Sequence, residues 1–120
     1  MLIEIAGQQW SVEKIDAHQP GLTVDGTACR GATWCGQAKI YLSNELKGDQ
    51  VMRVILHELT HAYICSTQAI NTESWTEEDV CDLVAIYGND IVVLARAVHR
   101  SLYPEVHMRD YLEAYKEPRI

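Results

Sequence analysis

Residues 54–62 read Val54-Ile55-Leu56-His57-Glu58-Leu59-Thr60-His61-Ala62. Neither this stretch nor residues 50–53 ahead of it contains a Gly or Pro that would break a helix. On a helix His57 and His61 stand one turn apart on one face, while Ile55, Leu59 and Ala62 form an apolar stripe at i, i+4, i+7. Ile55 and His57 are about 200° apart around the axis. The spacing predicts a helix that enters a core on one side and shows two imidazoles on the other. Asp49 or Asn44 is placed to cap its start.

The five residues from His57 to His61 also form an HExxH pattern. Two imidazoles at i and i+4 can hold one ion, and Glu58 beside them can take a proton from a water on that ion. A catalytic zinc usually has three protein ligands and an open position, so the pair needs a third ligand from elsewhere. Glu78 and Asp82 are i, i+4 partners on a second predicted helix. Glu78 can supply the ligand, and Asp82, one turn on, can accept a hydrogen bond from a ligating imidazole. Glu77 and Asp79 are rival ligands. The acidic run 77–79 also has a purely helical explanation, because carboxylates suit the first turn of any helix.

Outward from this centre, strands precede helices. Leu2 to Ile5 and Trp10 to Ile15 alternate apolar and polar residues about a turn at Ala6-Gly7-Gln8, which predicts a hairpin over 2–16. His18-Gln19-Pro20-Gly21 punctuates the chain. Thr27 to Trp34 reads as a further strand with Gly31 as a kink or bulge, and Ala38 to Leu42 as a strand leading into the histidine helix. After Cys65 the pattern fades into a loop that runs through Trp75. Thr76 caps the acidic helix, which is expected to end near Gly88; a third helix then starts at Asn89 or Asp90 and runs to about Ser101. A short helix over 105–115 follows Pro104. The expected fold is α+β in one domain over 1–120: a small mixed or antiparallel sheet within 1–45, then the active-site helix and the glutamate helix within 46–120.

Composition narrows the partners. The chain has 120 residues and a net charge of −7, without a Lys/Arg cluster, which argues against nucleic acid. No apolar run is long enough to span a bilayer, and the N-terminus lacks the pattern of a signal peptide, so a cytoplasmic location is expected. Cys29, Cys35, Cys65 and Cys81 contain no Cys-x-x-Cys pair, which gives little support to a cysteine-only zinc site. Cys65 and Cys81 read as small core residues. Cys29 and Cys35 lie close enough in sequence to approach each other, with free thiols the default in a reducing compartment.

Ile40-Tyr41-Leu42, a short spacer and then residues 54–62 resemble the gluzincin-type metallopeptidases, in particular the small ImmA/IrrE-like and minigluzincin group often encoded by phages and mobile elements. Residues 78–85 look like the glutamate helix of that group, and their Glu-x-x-x-Asp spacing is similar to the thermolysin-type pairing of ligand and supporting acid. The resemblance spans roughly residues 31–100. It implies a zincin-like fold, a Zn²⁺ ion on His57, His61 and Glu78, Glu58 as general base, and a peptide or protein substrate. Larger members carry a separate His or Tyr that steadies the transition state; by residue type alone Tyr87, His99, Tyr103 and His107 are candidates. Small members can be latent, and the stretch 103–120, with His107 and Asp110, could plug the groove. The expected function is a zinc-dependent endopeptidase. The alternative is a non-catalytic, zinc-stabilised module that acts by binding another protein.

Overall fold

The computed structural model describes residues 1–68 and 73–106. Strands β1 (Leu2–Ile5) and β2 (Gln8–Ile15) form the expected hairpin. Its two-residue turn places Ala6 and Gly7 at φ 50° and 81°, the mirror-image geometry that matches the twist of the flanking strands. A 3-10 turn follows at Pro20–Leu22, then a two-strand ribbon of β3 (Thr23–Val24) and β4 (Thr27–Ala28). β5 (Gly31–Trp34) and β6 (Lys39–Ser43) flank a second 3-10 turn at Cys35–Gln37. β1, β2, β6 and β5 make one mixed sheet in that order. The β2–β6 pairing is parallel and the other two are antiparallel. β5 is therefore an edge strand, and β6 lies inside the sheet.

Helix α1 (Asp49–Thr67) packs across this sheet, and α2 (Glu77–Leu102) packs beside it. Alternation decides which strand residues face the helices: Ile3, Ile5, Trp10, Val12, Ile40 and Leu42 point inward and are buried. They meet Val51, Ile55, Leu59, Ala62 and Tyr63 of α1, and Ile91, Ala95 and Val98 of α2. The α+β class, the order of sheet before helices and the buried stripe of α1 follow the sequence reading. No helix among the described residues is long and apolar enough to cross a membrane.

Polar ties fix both ends of the core. The indole of fully buried Trp10 donates to Ser66 Oγ at 3.1 Å, joining β2 to the last turn of α1. Cys35 and Cys65 form a disulfide, with Cα atoms 6.1 Å apart, which joins the turn after β5 to the same part of α1. At the far end, the buried Tyr103 hydroxyl donates to the Ser43 carbonyl oxygen at 2.7 Å. The Lys14 ammonium lies 4.4 Å from the centre of the Tyr103 ring and donates to the Leu102 carbonyl oxygen and to Glu105. Burial, with Glu105 adding to it, pushes the Tyr103 hydroxyl far above its ordinary pKa of 10.0.

Several local expectations fail for physical reasons. α1 is not capped by Asn44 or Asp49: Gly48 precedes it at φ 56°, ψ −135°, a conformation open to glycine, and Asp49 pairs with Arg53 one turn on. The region 27–34 is two strands, because β4 pairs with β3 while β5 pairs with β6. α2 runs unbroken through Gly88 where two helices were expected. Leu83, Tyr87, Ile91, Ala95 and Val98 keep one packed face in helical register across the glycine, outweighing its cost of about 1 kcal/mol. Cys65 is bonded to Cys35 instead of being a free core thiol, and Cys81 is exposed. The short helix expected over 105–115 lies beyond the described residues after Val106.

His99 gives the fold a pH dependence. It is buried, and desolvation holds its pKa below the ordinary value of 6.5, opposed by Glu105 and reinforced by Arg100. The unfolded chain takes up this proton near 6.5 and the folded chain only at lower pH, so stability is lost as pH falls from that value. Denaturant unfolding between about pH 7.5 and 5 should show this loss, and His99→Gln should flatten it. Equal slopes in the two proteins would rule His99 out as the cause.

Candidate metal centre

The exposed ridge of α1 carries Asp49, Arg53, His57 and His61 at successive i+4 steps. Within it the Nε2 atoms of His57 and His61 approach to 3.2 Å, with the rings inclined at 77°. Two nitrogens bound tetrahedrally to one zinc, each about 2.0–2.1 Å from it, would stand about 3.3 Å apart. The separation is that of two nitrogens sharing one ion and equally that of an imidazole–imidazole hydrogen bond, and both residues are exposed.

Glu58 points away from that ridge, toward β5, and its side chain is only 8% exposed against 67% for His57. A buried carboxylate needs hydrogen bonds, and the strand provides one. Thr33 Oγ1 lies 2.6 Å from Glu58 Oε2 and 3.1 Å from the Glu58 carbonyl oxygen. One hydroxyl proton serves one acceptor best, and the shorter, charged contact takes it. Glu58 Oε1 stands 4.0 Å from His57 Nε2, on the side of the histidine pair. The close approach depends on Gly31: a Cβ there would fall 2.8 Å from both Glu58 Cγ and Val54 Cγ1. A shallow cleft opens at this point, lined by Arg30, Gly31, Arg53, Val54, His57 and Glu58.

Glu77, Glu78 and Asp82 are exposed on the first turns of α2. Asp79 is engaged elsewhere. Its Oδ2 accepts from the Thr76 backbone N–H at 2.8 Å and its own N–H donates to Thr76 Oγ1, forming a reciprocal cap with the expected Thr76. Among the described residues no three His, Cys, Asp or Glu side chains gather as metal ligands. The structure brings His57, His61 and Glu58 together but does not bring Glu78 or Asp82 to them.

Of the residues singled out by type for transition-state support, Tyr87, His99 and Tyr103 do not line the cleft. Tyr103 and His99 belong to the core, and Tyr87 packs on Tyr63 with ring centres 5.7 Å apart. His107 and Asp110 lie outside the described residues. Thr33 went unseen in the sequence, since no local spacing relates a strand residue to a helix residue 25 positions later. Gly31 did leave a signal, as the glycine within a predicted strand, but it marks close helix contact and not a bulge.

No family model, curated protein or solved structure matches this chain.

The contact between β5 and α1 can be tested without any assay of activity. Gly31→Ala should cost about 1–3 kcal/mol of stability by overpacking. Thr33→Val, which strips a buried carboxylate of its donor, should cost about 1–3 kcal/mol, and Thr33→Ser much less. Denaturant unfolding measures all three. A neutral Gly31→Ala would show that the helix and strand are not so tightly apposed.

Proposed function

We propose that this chain is a zinc-dependent peptidase in which His57 and His61 hold the ion and Glu58 is the general base. The observation that carries the reading is the joint geometry of the three: imidazole nitrogens 3.2 Å apart, beside a buried carboxylate fixed through one oxygen by Thr33. Zinc bound there would acidify a water to a pKa of about 7 and polarise the scissile carbonyl. Glu58 accepts the proton of the attacking water at Oε1 and passes it to the leaving amine. Thr33 keeps Oε2 occupied, so the carboxylate does not swing toward solvent. We assign the third ligand to Glu78, with Glu77 as its rival, and Asp82 to orienting a ligating imidazole. Asp79 is disfavoured because the helix cap uses its carboxylate.

An extended substrate finds a strand to pair with in β5. β6 has partners on both sides, whereas β5 lies at the edge of the sheet. The open edge of β5 starts at Gly31 and passes Glu58, which suits an antiparallel or parallel peptide laid along the cleft.

A second reading, a zinc-stabilised module that acts only by binding, is favoured by the lack of a gathered third ligand among the described residues. Three measurements separate the readings. Metal analysis of protein prepared without chelators should find one zinc per chain, lost in His57→Ala and His61→Ala and weakened in Glu78→Ala. Glu58→Gln should keep the zinc and lower hydrolysis of a general protein substrate by 10²-fold or more. Full activity in Glu58→Gln would refute the mechanism, and zinc without hydrolysis in the parent protein would favour the binding module. Latency is tested by ending the chain after Val106. Ending it after Ser101 would remove Tyr103, which the core requires. A gain of activity on truncation would identify 107–120 as an inhibitory segment.

A further inference from the structure

The cleft beside Glu58 has a charge unlike that of the molecule. The chain carries 17 acidic residues against 10 Lys and Arg, yet two of its arginines, Arg30 and Arg53, stand at this one opening. Among the described residues that line it the one carboxylate is Glu58, held at the inner wall by Thr33, and Asp49 stands beside Arg53 at its edge. Counting Asp49, which pairs with Arg53, the opening carries two positive side chains against two negative ones and is locally balanced, on a protein whose total is −7.

Both arginine side chains are exposed. Arg30 is exposed, and its backbone is fixed because its carbonyl oxygen accepts from Ser43 N–H at 2.9 Å, extending the β5–β6 ladder by one residue. It forms no ion pair among the described residues. Arg53 pairs with Asp49 through Nη2 at 2.8 Å, but both side chains are more than half exposed. Such a surface pair is weak enough to be exchanged, and a guanidinium has further N–H donors for a second carboxylate. Between the arginines the wall is Gly31 and Val54, which leaves room for an extended backbone and offers no competing charge.

Distance fixes where a carboxylate would bind. Arg53 stands one turn before His57 on the same ridge, about 6 Å along the axis. Arg30 immediately precedes Gly31, which abuts Glu58. An extended peptide advances about 3.3 Å per residue, so a side chain reaching either arginine belongs to a residue within about two positions of the bond at Glu58.

We propose that this cleft selects peptides bearing an Asp or Glu side chain within about two residues of the scissile bond, with Arg30 and Arg53 as the specificity-determining residues. The proposal rests on the peptidase reading for its chemistry but not for its binding. The net charge of −7 disfavours general attachment of an acidic peptide to the rest of the chain.

The test has a cleavage arm and a binding arm. In the first, the zinc-loaded full chain is given a mixed peptide library and the cut sites are sequenced. Asp and Glu should exceed Lys and Arg near the cut by about tenfold, corresponding to about 1.4 kcal/mol. The preference should shrink at high salt and reverse in Arg30→Glu/Arg53→Glu. In the second arm, Glu58→Gln protein is titrated with labelled peptides differing only by Glu or Gln, each with a free or amidated C-terminus. The Glu peptides should bind about tenfold more tightly, and Arg30→Gln/Arg53→Gln should erase the difference. Cleavage without acidic preference, or a preference that survives the double Gln variant, would overturn the proposal and leave the peptidase reading intact. Absence of cleavage with selective binding of Glu peptides would uphold the cleft and discard the peptidase. Selectivity that follows the free C-terminus instead of the side chain would overturn it, as would equal binding of all peptides. Circular dichroism of each variant confirms the fold.

Discussion

The apposition of β5 and α1 at Glu58 is the constraint on which the rest of the site depends. A carboxylate buried next to Val54 and a strand backbone is costly unless it is hydrogen-bonded, and the strand answers with one hydroxyl, from Thr33. That hydroxyl can reach only because Gly31, two residues earlier on the same side of the strand, has no side chain to hold the helix away. Removing the void at Gly31 or the donor at Thr33 attacks the same contact from two directions. The contact also sets a division of labour on α1. His57 and His61 remain in solvent on one face, while their neighbour Glu58, about 100° around the axis, is withdrawn into a drier place.

Such a contact needs a rigid frame. The open edge of β5 cannot provide it, since β5 is tied to the sheet on one side only. The Cys35–Cys65 bond and the Trp10–Ser66 hydrogen bond fasten the C-terminal turns of α1 to the sheet and to the turn after β5. Tyr103, hydrogen-bonded to Ser43 at the end of β6, fastens the opposite end of the core and is itself held by Lys14 against its ring. α1 is thus pinned to the sheet at its C-terminal turns, just beyond the histidine pair, while Tyr103 ties the residue after α2 to the end of β6. This explains why the C-terminal boundary of the domain lies beyond Ser101: the chain past α2 contributes a fully buried side chain to the core.

What could be read from sequence follows the range of each interaction. The i, i+4 histidines, the apolar stripe of α1 and the Thr76 cap are local, so their spacing along the chain is their spacing in space. The hairpin over 2–16 and the order of strands before helices were legible for the same reason. The pairing of β6 with β2 was not, since that parallel ladder joins segments separated by three other strands and two 3-10 turns. Neither was the partnership of Thr33 with Glu58 or of Cys35 with Cys65, each a product of the sheet order. Gly88 misled in the opposite sense. It carries a helix-stop signal, and asparagine and aspartate follow it, yet tertiary packing of Ile91, Ala95 and Val98 carries the helix through.

The first turns of α2 show how ligation and packing are linked. Leu83 is the first of its residues to be buried; Val80 and Val84, on nearly the same side of the helix, are 39% and 63% exposed. Where the apolar face lacks a cover, the carboxylates of Glu77, Glu78 and Asp82 lie in water. A carboxylate in water keeps its hydration and its side-chain freedom, both of which must be given up to bind an ion, whereas His57 and His61 already stand at chelating distance. The free energy of any ion at this site would therefore come first from the histidines, and an acidic residue of α2 would add its share only after meeting the cost of order. The imidazole pair and the Thr33–Glu58 hydrogen bond are built by the fold, and among the described residues no third donor is gathered beside them.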